Sequence, residues 1–160
     1  MNLKKKEIKE ICILKNKEWK FGLQSQLQWF NNYIKRFDIH NLLYNKKKLI
    51  GYTLLRLRSY RTSHTNKLKK YLLLDTLLVD KKYRKLNYSN FLMNFNNEVI
   101  LKKNLSSFLI CNKTMVNFYK KNKWIKLSRK KINLVDHKLL TNGMIYNFKN
   151  YKKYFFCINR

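Results

Sequence analysis

Apolar and polar positions divide the middle of the chain into two strands and two helices. Residues 72–79 form an almost continuous apolar run, which is typical of a strand buried on both faces. After a basic turn, apolar side chains recur at helical spacing: Tyr88, Phe91, Leu92, Phe95 and Val99. A second apolar run at 107–111 predicts another strand, and a short helix carrying Phe118 and Tyr119 follows it. The predicted order is strand, turn, helix, strand, helix.

Two further helices are predicted before these elements. The first, over residues 3–16, places Ile8, Ile11 and Cys12 on one face. The second, over residues 23–37, has an apolar stripe on one side: Leu23, Leu27, Phe30, Ile34 and Phe37.

A hairpin is predicted between these helices and the central strand. Its strands cover residues 40–44 and 49–58, and a polar turn joins them. Gly51 within the second strand indicates a bulge or a close backbone contact. Residues 59–66 are polar and basic, which predicts a loop leading into the central strand.

The end of the chain adds two strands and an aromatic tail. Residues 124–127 and 143–148 are predicted to pair as antiparallel strands, with an irregular connection over 128–142. The tail, residues 151–160, mixes lysine with aromatic residues. We expect it either to extend the sheet or to cover an exposed apolar edge.

The basic turn after Val79 has features of a phosphate site. A helix that begins there presents unpaired backbone N–H groups and the positive end of its dipole, and Arg84 and Lys85 add full charges. This combination predicts binding of a pyrophosphate. A basic, solvated loop between two core elements explains the same residues, so both interpretations stay open at this point.

Residues 79–93 resemble the acetyl-CoA-binding motif of the GNAT superfamily of N-acyltransferases. That motif is a strand ending in Val, then a Tyr-Arg pair and a glycine-rich loop, then a helix with Leu-Met in its first turns. This sequence has Val79, Tyr83-Arg84 and Leu92-Met93, but Asn87 and Ser89 replace both signature glycines. Asparagine tolerates positive φ better than most residues, and serine is small enough for close backbone approach.

A second segment carries the same resemblance. Residues 112–124 are similar to the family's Asn to Phe-Tyr-x-Lys-x-Gly-Phe/Trp ending, with Asn112, Phe118-Tyr119 and Trp124 in place. Lys123 stands where the family has glycine. The two motifs occur in the family's order and at its separation, which supports the resemblance more than either does alone.

The resemblance implies a fold, an activity and a donor site. The fold is α/β (α+β): a single domain over 1–160 with a mixed central sheet splayed between two strands and flanked by helices. The implied activity is direct transfer of an acetyl group from acetyl-CoA to a primary amine in a ternary complex. The backbone of Leu77, Leu78 and Val79 is expected to hold the pantetheine arm, with the Leu78 amide on the thioester oxygen. The remaining donor-binding residues are expected to be Arg84, Lys85, Leu86, Asn87, Tyr88, Ser89 and Asn112.

Two residues are candidates for proton transfer. The resemblance assigns Tyr119 as the general acid that protonates the coenzyme A thiolate; the alternative is a core aromatic. Asp75 is the only charge within the central apolar run, where an unpaired carboxylate is costly. It is expected to hold a water that takes the amine proton, or to bind the ammonium; pairing with a neighbouring Lys or Thr is the alternative. His40 and His64 are weaker candidates.

Five residues are candidates for the acceptor side. In the family the first two helices flank the acceptor cleft, so Trp19 and Phe21, in the linker 17–22, are expected to form a substrate wall. Packing between the helices is the alternative for Trp19. Arg58, Arg61 and His64 surround the predicted loop 59–66 and are expected to recognise an anionic acceptor, unless this loop is an ordinary solvated turn.

Composition adds a strong positive charge to this picture. The net charge is +29, but lysines are spread along the whole chain, and the absence of alanine and proline suits A- and T-rich codons. The charge attracts anions, which favours an anionic amine such as a nucleotide-linked amino sugar as acceptor. A basic nucleic-acid-binding protein, or a decayed acetyltransferase-like binding module, is the alternative function.

The remaining signals concern location and assembly. Cys12, Cys111 and Cys157 have no metal-ligand spacing, so no metal site is predicted. There is no apolar run long enough for a membrane span, and the basic start lacks the apolar core of a signal peptide. We therefore expect a cytoplasmic protein, with the aromatic tail and the sheet edge suited to a homodimer.

Overall fold

A long hairpin at the centre of a mixed sheet organises the fold. The computed structural model describes residues 3–135, 142–149 and 151–158, except for the side chain of Asn66. The helices are α1 (Lys5–Glu18), α2 (Leu23–Tyr33), α3 (Tyr88–Lys102) and α4 (Val116–Lys121). The strands are β1 (Ile39–Asn45), β2 (Lys48–Thr62), β3 (Thr65–Val79), β4 (Ser107–Cys111), β5 (Ile125–Lys126), β6 (Ile132–Leu134), β7 (Asn142–Tyr146) and β8 (Tyr154–Cys157).

The sheet has eight strands and both kinds of pairing. Its order is β5-β7-β4-β3-β2-β8-β6, and β1 pairs with the other half of the β2 edge. The β3–β4 and β6–β8 pairs are parallel, whereas the others are antiparallel. This confirms the predicted mixed sheet, and β7 lies between β4 and β5.

Each face of the sheet is covered differently. Met93 and Ile100 of α3 and Tyr119 of α4 pack on one face, in the cluster that contains Leu74 and Leu109. On the opposite face, α1 and α2 cover the end of the hairpin near Tyr52 and Leu78. An aromatic cluster from the C-terminal segment covers the other end of that face: Tyr60, Tyr71, Phe108, Tyr154 and Phe156. Between these two regions lies a polar strip that contains Asp38, Arg56, Arg58 and Asp75.

The predicted elements are present, with corrections at several boundaries. Helix α1 ends at Glu18 and α2 already at Tyr33. The predicted loop 59–66 is wrong for most of its length, because β2 continues to Thr62 and β3 starts at Thr65. The reason is tertiary: β8 pairs with residues 59–62 and supplies a strand partner that no local pattern reveals.

The C-terminal half holds a second correction. The predicted irregular connection 128–142 contains a 3₁₀ helix, Arg129–Lys131, and strand β6; residues 136–141 lie outside the described residues. Strand β6 forms because Ile132 and Leu134 both pack into the aromatic cluster. The tail extends the sheet as β8, which confirms that alternative, and residues 159–160 lie outside the described part.

Gly51 combines both predicted features. The register of β1 with β2 shifts next to it, and a Cβ at this position would lie 2.9 Å from Leu92 Cδ1 of α3. The glycine therefore lets α3 approach the sheet closely.

His40 is expected to make stability depend on pH. Burial lowers its pKa from 6.5 to about 4, and its Nδ1 lies 2.8 Å from the Tyr52 hydroxyl. The unfolded chain therefore takes up a proton between these values while the folded chain does not. Stability is highest above pH 6.5 and falls towards pH 4, by about 2 kcal/mol at pH 5.

Urea unfolding of the wild type and of His40→Gln at pH 7.5 and pH 5 measures this term. Glutamine does not titrate, so the variant should lose about 2 kcal/mol less than the wild type over this interval. Groups other than His40 contribute equally in both proteins, so their contributions cancel when the two losses of stability are subtracted. An identical loss of stability in the two proteins would show that folding does not lower the pKa of His40.

Candidate active site

Strands β3 and β4 separate after a short stretch of pairing. They pair only at Leu72 with Ser107 and at Leu73 with Phe108. Beyond this point β3 pairs with β2 alone, and β4 pairs with β7 alone. The facing backbone edges have no strand partner among the described residues, which confirms the expected splay. Such edges are free to bind an extended ligand.

The strand register decides which amides face this splay. The Asp80 amide donates to the Ile50 carbonyl across the β2–β3 ladder, over 2.8 Å. Because antiparallel ladders alternate, the Leu78 backbone also points to β2, whereas Leu77 and Val79 point to the splay. The Val79 carbonyl already accepts from Arg84 Nε, at 3.1 Å. The predicted role of the Leu78 amide is therefore wrong, and Leu77 presents both backbone groups to the splay.

The loop after β3 makes a sharp left-handed bend before α3. Asp80 caps a 3₁₀ helix, Lys81–Leu86, by accepting from the Lys82 amide at 3.2 Å. Asn87 follows with φ 63° and ψ 6°, the left-handed conformation that a glycine ordinarily supplies. Helix α3 begins at the next residue, so the N–H groups of Tyr88 and Ser89 have no intrahelical acceptor.

Ion pairs fasten this loop to α1. Arg84 Nη2 donates to Glu18 Oε2 at 2.6 Å, and Lys17 Nζ donates to Asp80 Oδ2 at 2.9 Å. Burial favours protonated Asp80, but the hydrogen bonds from Lys17 and the Lys82 amide outweigh it and lower the pKa of this carboxyl. Arg84 is thus engaged within the protein, while Lys85 is exposed.

Tyr119 lies beyond the end of β4. It is 8% exposed, in the cluster that contains Cys111, and its ring packs on those of Phe118 and Trp124. Burial first, and then the Cys111 thiol, raise the pKa of Tyr119 well above 10. The phenol therefore keeps its proton throughout the neutral range. Exposed Asn112 lies between β4 and this helix, and its carbonyl accepts from the Met115 amide.

Polar contacts fix α4 against α3. Trp124 Nε1 donates to Asn97 Oδ1 at 2.9 Å, and Asn97 Nδ2 donates to the Asn122 carbonyl at 3.0 Å. Lys123 adopts φ 69°, the conformation of the glycine that it replaces, at a cost of about 1 to 2 kcal/mol. These contacts therefore fix Tyr119, the candidate general acid, relative to α3 and to the loop that precedes α3.

Asp75 occupies a bulge in β3 at the splay. Leu55 pairs with Leu74 and Leu54 pairs with Thr76, which leaves Asp75 as the extra residue. Its side chain is 27% exposed, and its Oδ1 lies 3.8 Å from Arg56 Nη1. Burial raises the pKa of Asp75, although Arg56 and Lys15 oppose the shift. The carboxylate is thus partly exposed, close in sequence to the point where β3 and β4 part, with an arginine as its partner.

The structure separates the remaining predicted residues from one another. Trp19 and Phe21 are 38% and 72% exposed in the linker between α1 and α2. Arg58 is 3% exposed and donates to the Ile158 and Leu57 carbonyls. This burial does not support its predicted role as an acceptor contact.

The basic hairpin tip does not reach the splay. Arg61 lies over the Phe155 ring at 5.1 Å, and His64 packs beside Tyr151. About ten residues of extended strand separate this tip from Asp75, roughly 33 Å. Arg61 and His64 thus lie at the opposite end of the hairpin from the splay, which does not support their predicted acceptor role.

Sequence reasoning missed three residues near Asp75: Lys15, Trp29 and Arg56. Lys15 is 6% exposed although it is a lysine. A signal was present, since Lys15 follows Ile8, Ile11 and Cys12 at helical spacing on the apolar face. Arg56 likewise interrupts the apolar run of β2.

Metal and membrane features are limited in the described ranges. Within residues 3–135, 142–149 and 151–158, no three His, Cys, Asp or Glu side chains group as a metal site. Across the same ranges, no helix combines the length and apolarity required to cross a bilayer. The cysteines Cys12, Cys111 and Cys157 are free.

Comparison with solved structures identifies the fold. An acetyltransferase of the GNAT family from Staphylococcus aureus Mu50 superposes with TM-score 0.63 at 18% identity, over 93% of this chain and 98% of that one. The aminoglycoside 6'-N-acetyltransferase from Enterococcus faecium gives 0.65 at 11% identity, over 91% and 94%. PaiA N-acetyltransferase from Thermoplasma acidophilum, in complex with coenzyme A, gives 0.60 at 14%, over 92% and 97%.

Sequence comparison adds nothing to this likeness. No family model and no curated protein matches the sequence. The structural likenesses lie below 25% identity and therefore establish the fold: the chain has the fold of the GNAT N-acetyltransferases.

Proposed function

We propose that this protein, which has the GNAT fold, is an N-acetyltransferase that moves an acetyl group from acetyl-CoA to a primary amine. The observation that supports the proposal most directly is the coincidence of two features at the carboxyl end of β3. The backbone edge left open by the splay lies there, and the left-handed bend at Asn87 follows it.

The donor would lie along this open edge. Leu77 has both backbone groups available for the pantetheine amides, and its N–H is our candidate donor to the thioester oxygen. The amides of Tyr88 and Ser89, with exposed Lys85, would hold the diphosphate. Arg84 would not contact the donor itself; its contacts with Glu18 and Val79 would keep the loop in place.

The chemistry requires a free amine and a proton for the leaving sulfur. As the amine nitrogen bonds to the acetyl carbon and the carbon–sulfur bond breaks, the Tyr119 hydroxyl would supply the thiolate's proton. Asp75 would bind the ammonium or orient a water that removes its proton. The raised pKa of Asp75 suits removal of a proton, and the exposed part of its side chain is accessible to an ammonium.

We further propose that the acceptor carries negative charge, as a nucleotide-linked amino sugar does. The net charge of +29 attracts such a molecule and repels polyamines. Trp19 and Phe21 are exposed on the linker and are available as a wall of the acceptor cleft.

Thermal unfolding with acetyl-CoA tests the donor site. At a concentration 100 times the dissociation constant, acetyl-CoA should stabilise the folded chain by about 2.7 kcal/mol, which raises Tm by roughly 5 to 11 °C. Release of free thiol from acetyl-CoA in a panel of amines then tests turnover.

Measurement of RNA and DNA binding tests the alternative function, a basic nucleic-acid-binding protein. Unchanged Tm with acetyl-CoA, together with RNA or DNA binding that weakens steeply with salt, would reject the transferase and favour a basic binding module. A stabilising shift without nucleic-acid affinity at physiological salt supports the proposal.

A further inference from the structure

Lys15 is a buried lysine without an acidic partner. The residue is 6% exposed on the inner face of α1. Its Nζ lies 3.5 Å from the centroid of the Trp29 ring and 6.0 Å from that of Trp19. Among the described residues, no carboxylate lies within the 4.0 Å of an ion pair, and no hydrogen-bond acceptor faces this ammonium. Burial lowers its pKa, with Asp75 opposing.

Arg56 lies beside the same tryptophan and is also incompletely paired. Its guanidinium carbon lies 5.8 Å from the centroid of the Trp29 ring. Nη2 donates to the Tyr33 carbonyl at 2.9 Å, but Nε is buried and has no hydrogen-bond partner. The side chain is 10% exposed. Arg56 therefore holds the end of α2, and its Nε lies 3.8 Å from Asp38 Oδ2, beyond hydrogen-bond distance.

The carboxylates nearby do not balance these cations. Asp38 accepts the Lys35 amide at 2.9 Å and the Leu57 amide at 3.2 Å, and its ion pairs with Arg56 and Arg58 are long, at 3.8 and 3.7 Å. Asp75 is the only other acid among the described neighbours of this strip.

The buried charges connected to Lys15 do not balance without a ligand. Three cations, Lys15, Arg56 and Arg58, share one cluster with two carboxylates, Asp38 and Asp75. Burying a cation without an anionic partner is costly, and the cation–π contact with Trp29 offsets only part of this cost for Lys15. An anion beside Lys15 would remove the imbalance and satisfy unused N–H donors.

We propose that Lys15 and Arg56, which both lie beside the Trp29 ring, form a subsite for a single carboxylate or phosphate group of the acceptor. The acceptor is accordingly a small molecule that carries its amine and its acid together, as an amino acid or an amino sugar phosphate does. Identifying the ligand as the acceptor rests on the proposed function, whereas binding of the anion does not.

Two features relate this subsite to the acceptor opening. Asp75 lies 3.8 Å from Arg56 and borders the splay, so an acid held by Lys15 and Arg56 leaves its amine near Asp75. Trp19 and Tyr33, 38% and 53% exposed, form the outer rim. Because Lys15 is recessed behind these rings, the subsite suits a terminal acid group and not the backbone of a polynucleotide.

Tryptophan fluorescence tests the subsite without any turnover. Two of the three tryptophans, Trp19 and Trp29, contact Lys15, whereas Trp124 is 2% exposed in another cluster. Sodium acetate and inorganic phosphate are titrated separately at constant ionic strength kept with sodium chloride. We expect a saturable change with at least one of them, and the preferred anion tells carboxylate from phosphate.

Two lysine variants of α1 test whether the fluorescence response to the anions depends on Lys15. Lys15→Met keeps an unbranched side chain on the helix face and should weaken anion binding at least tenfold. Lys9→Met removes an exposed lysine from the same helix and should leave it unchanged. Equal binding by Lys15→Met and the wild type, or no saturable response to either anion, would overturn the proposal. The same Lys15-dependent response to an oligonucleotide would overturn the assignment to a small molecule.

The donor assay separates this inference from the proposed function. Lys15→Met should show the same acetyl-CoA-induced rise in Tm as the wild type, because Lys15 is not part of the donor site. If anions bind through Lys15 but acetyl-CoA gives no rise in the wild type, the transferase assignment fails while the anion subsite stands.

Discussion

Replacing Asn87 with valine is expected to weaken acetyl-CoA binding by about 100-fold. Asn87 has φ 63°, where a β-branched residue is a severe outlier, so valine should force the loop out of its bend. The amides of Tyr88 and Ser89 then no longer face one diphosphate. Two charge-assisted hydrogen bonds at about 1.5 kcal/mol each account for a loss of this size. Isothermal titration calorimetry with acetyl-CoA measures it.

Asn87→Gly is the matched control for this variant. Both substitutions remove the side-chain hydrogen bond with Asn90, but glycine accepts the left-handed conformation without strain. We expect Asn87→Gly to bind acetyl-CoA within a few-fold of the wild type. Equal affinities of the valine and glycine variants would show that the bend is not where the diphosphate binds, and the transferase assignment would lose its main support.

Tyr119→Phe is expected to lower kcat by about 100-fold while leaving acetyl-CoA affinity nearly intact. The hydroxyl is the proposed proton donor to the leaving thiolate, and general acids contribute about 10²- to 10⁴-fold. The ring packing against Phe118 and Trp124 is retained in phenylalanine. Steady-state turnover by thiol release, together with calorimetric titration of the donor, separates the two quantities.

Tyr146→Phe provides the control within the same packing region. The Tyr146 ring stacks on the Trp124 ring, with the two centroids 5.6 Å apart. Tyr146 has no role in the proposed chemistry. It should turn over at the wild-type rate. A parallel fall of turnover and donor binding in Tyr119→Phe would instead mark Tyr119 as a structural residue.

Much of the donor side follows from local sequence. The apolar run of β3, the helical spacing from Tyr88 onward and the apolar strand β4 each depend on residues close in the chain. The bend at Asn87 is also local, since it needs only a residue that tolerates positive φ between a 3₁₀ turn and a helix. These features could be predicted because neighbouring residues alone specify them.

The acceptor side of the site could not be predicted from local sequence. The loop predicted over 59–66 is largely strand because β8, nearly a hundred residues later, pairs with residues 59–62. Whether the amide of Leu77 or that of Leu78 faces the splay depends on the bulge at Asp75, which shifts the strand register and exists only in the pairing with β2.

The sequence by itself determined the helices, the central strands, their order and the left-handed bend, because periodicity and backbone preference act over a few residues. Only the tertiary structure decided where β3 and β4 part and which amides face the gap. It also decided that Lys15 and Arg56 meet at Trp29. Those arrangements depend on contacts between distant segments, whose register and burial no local pattern encodes.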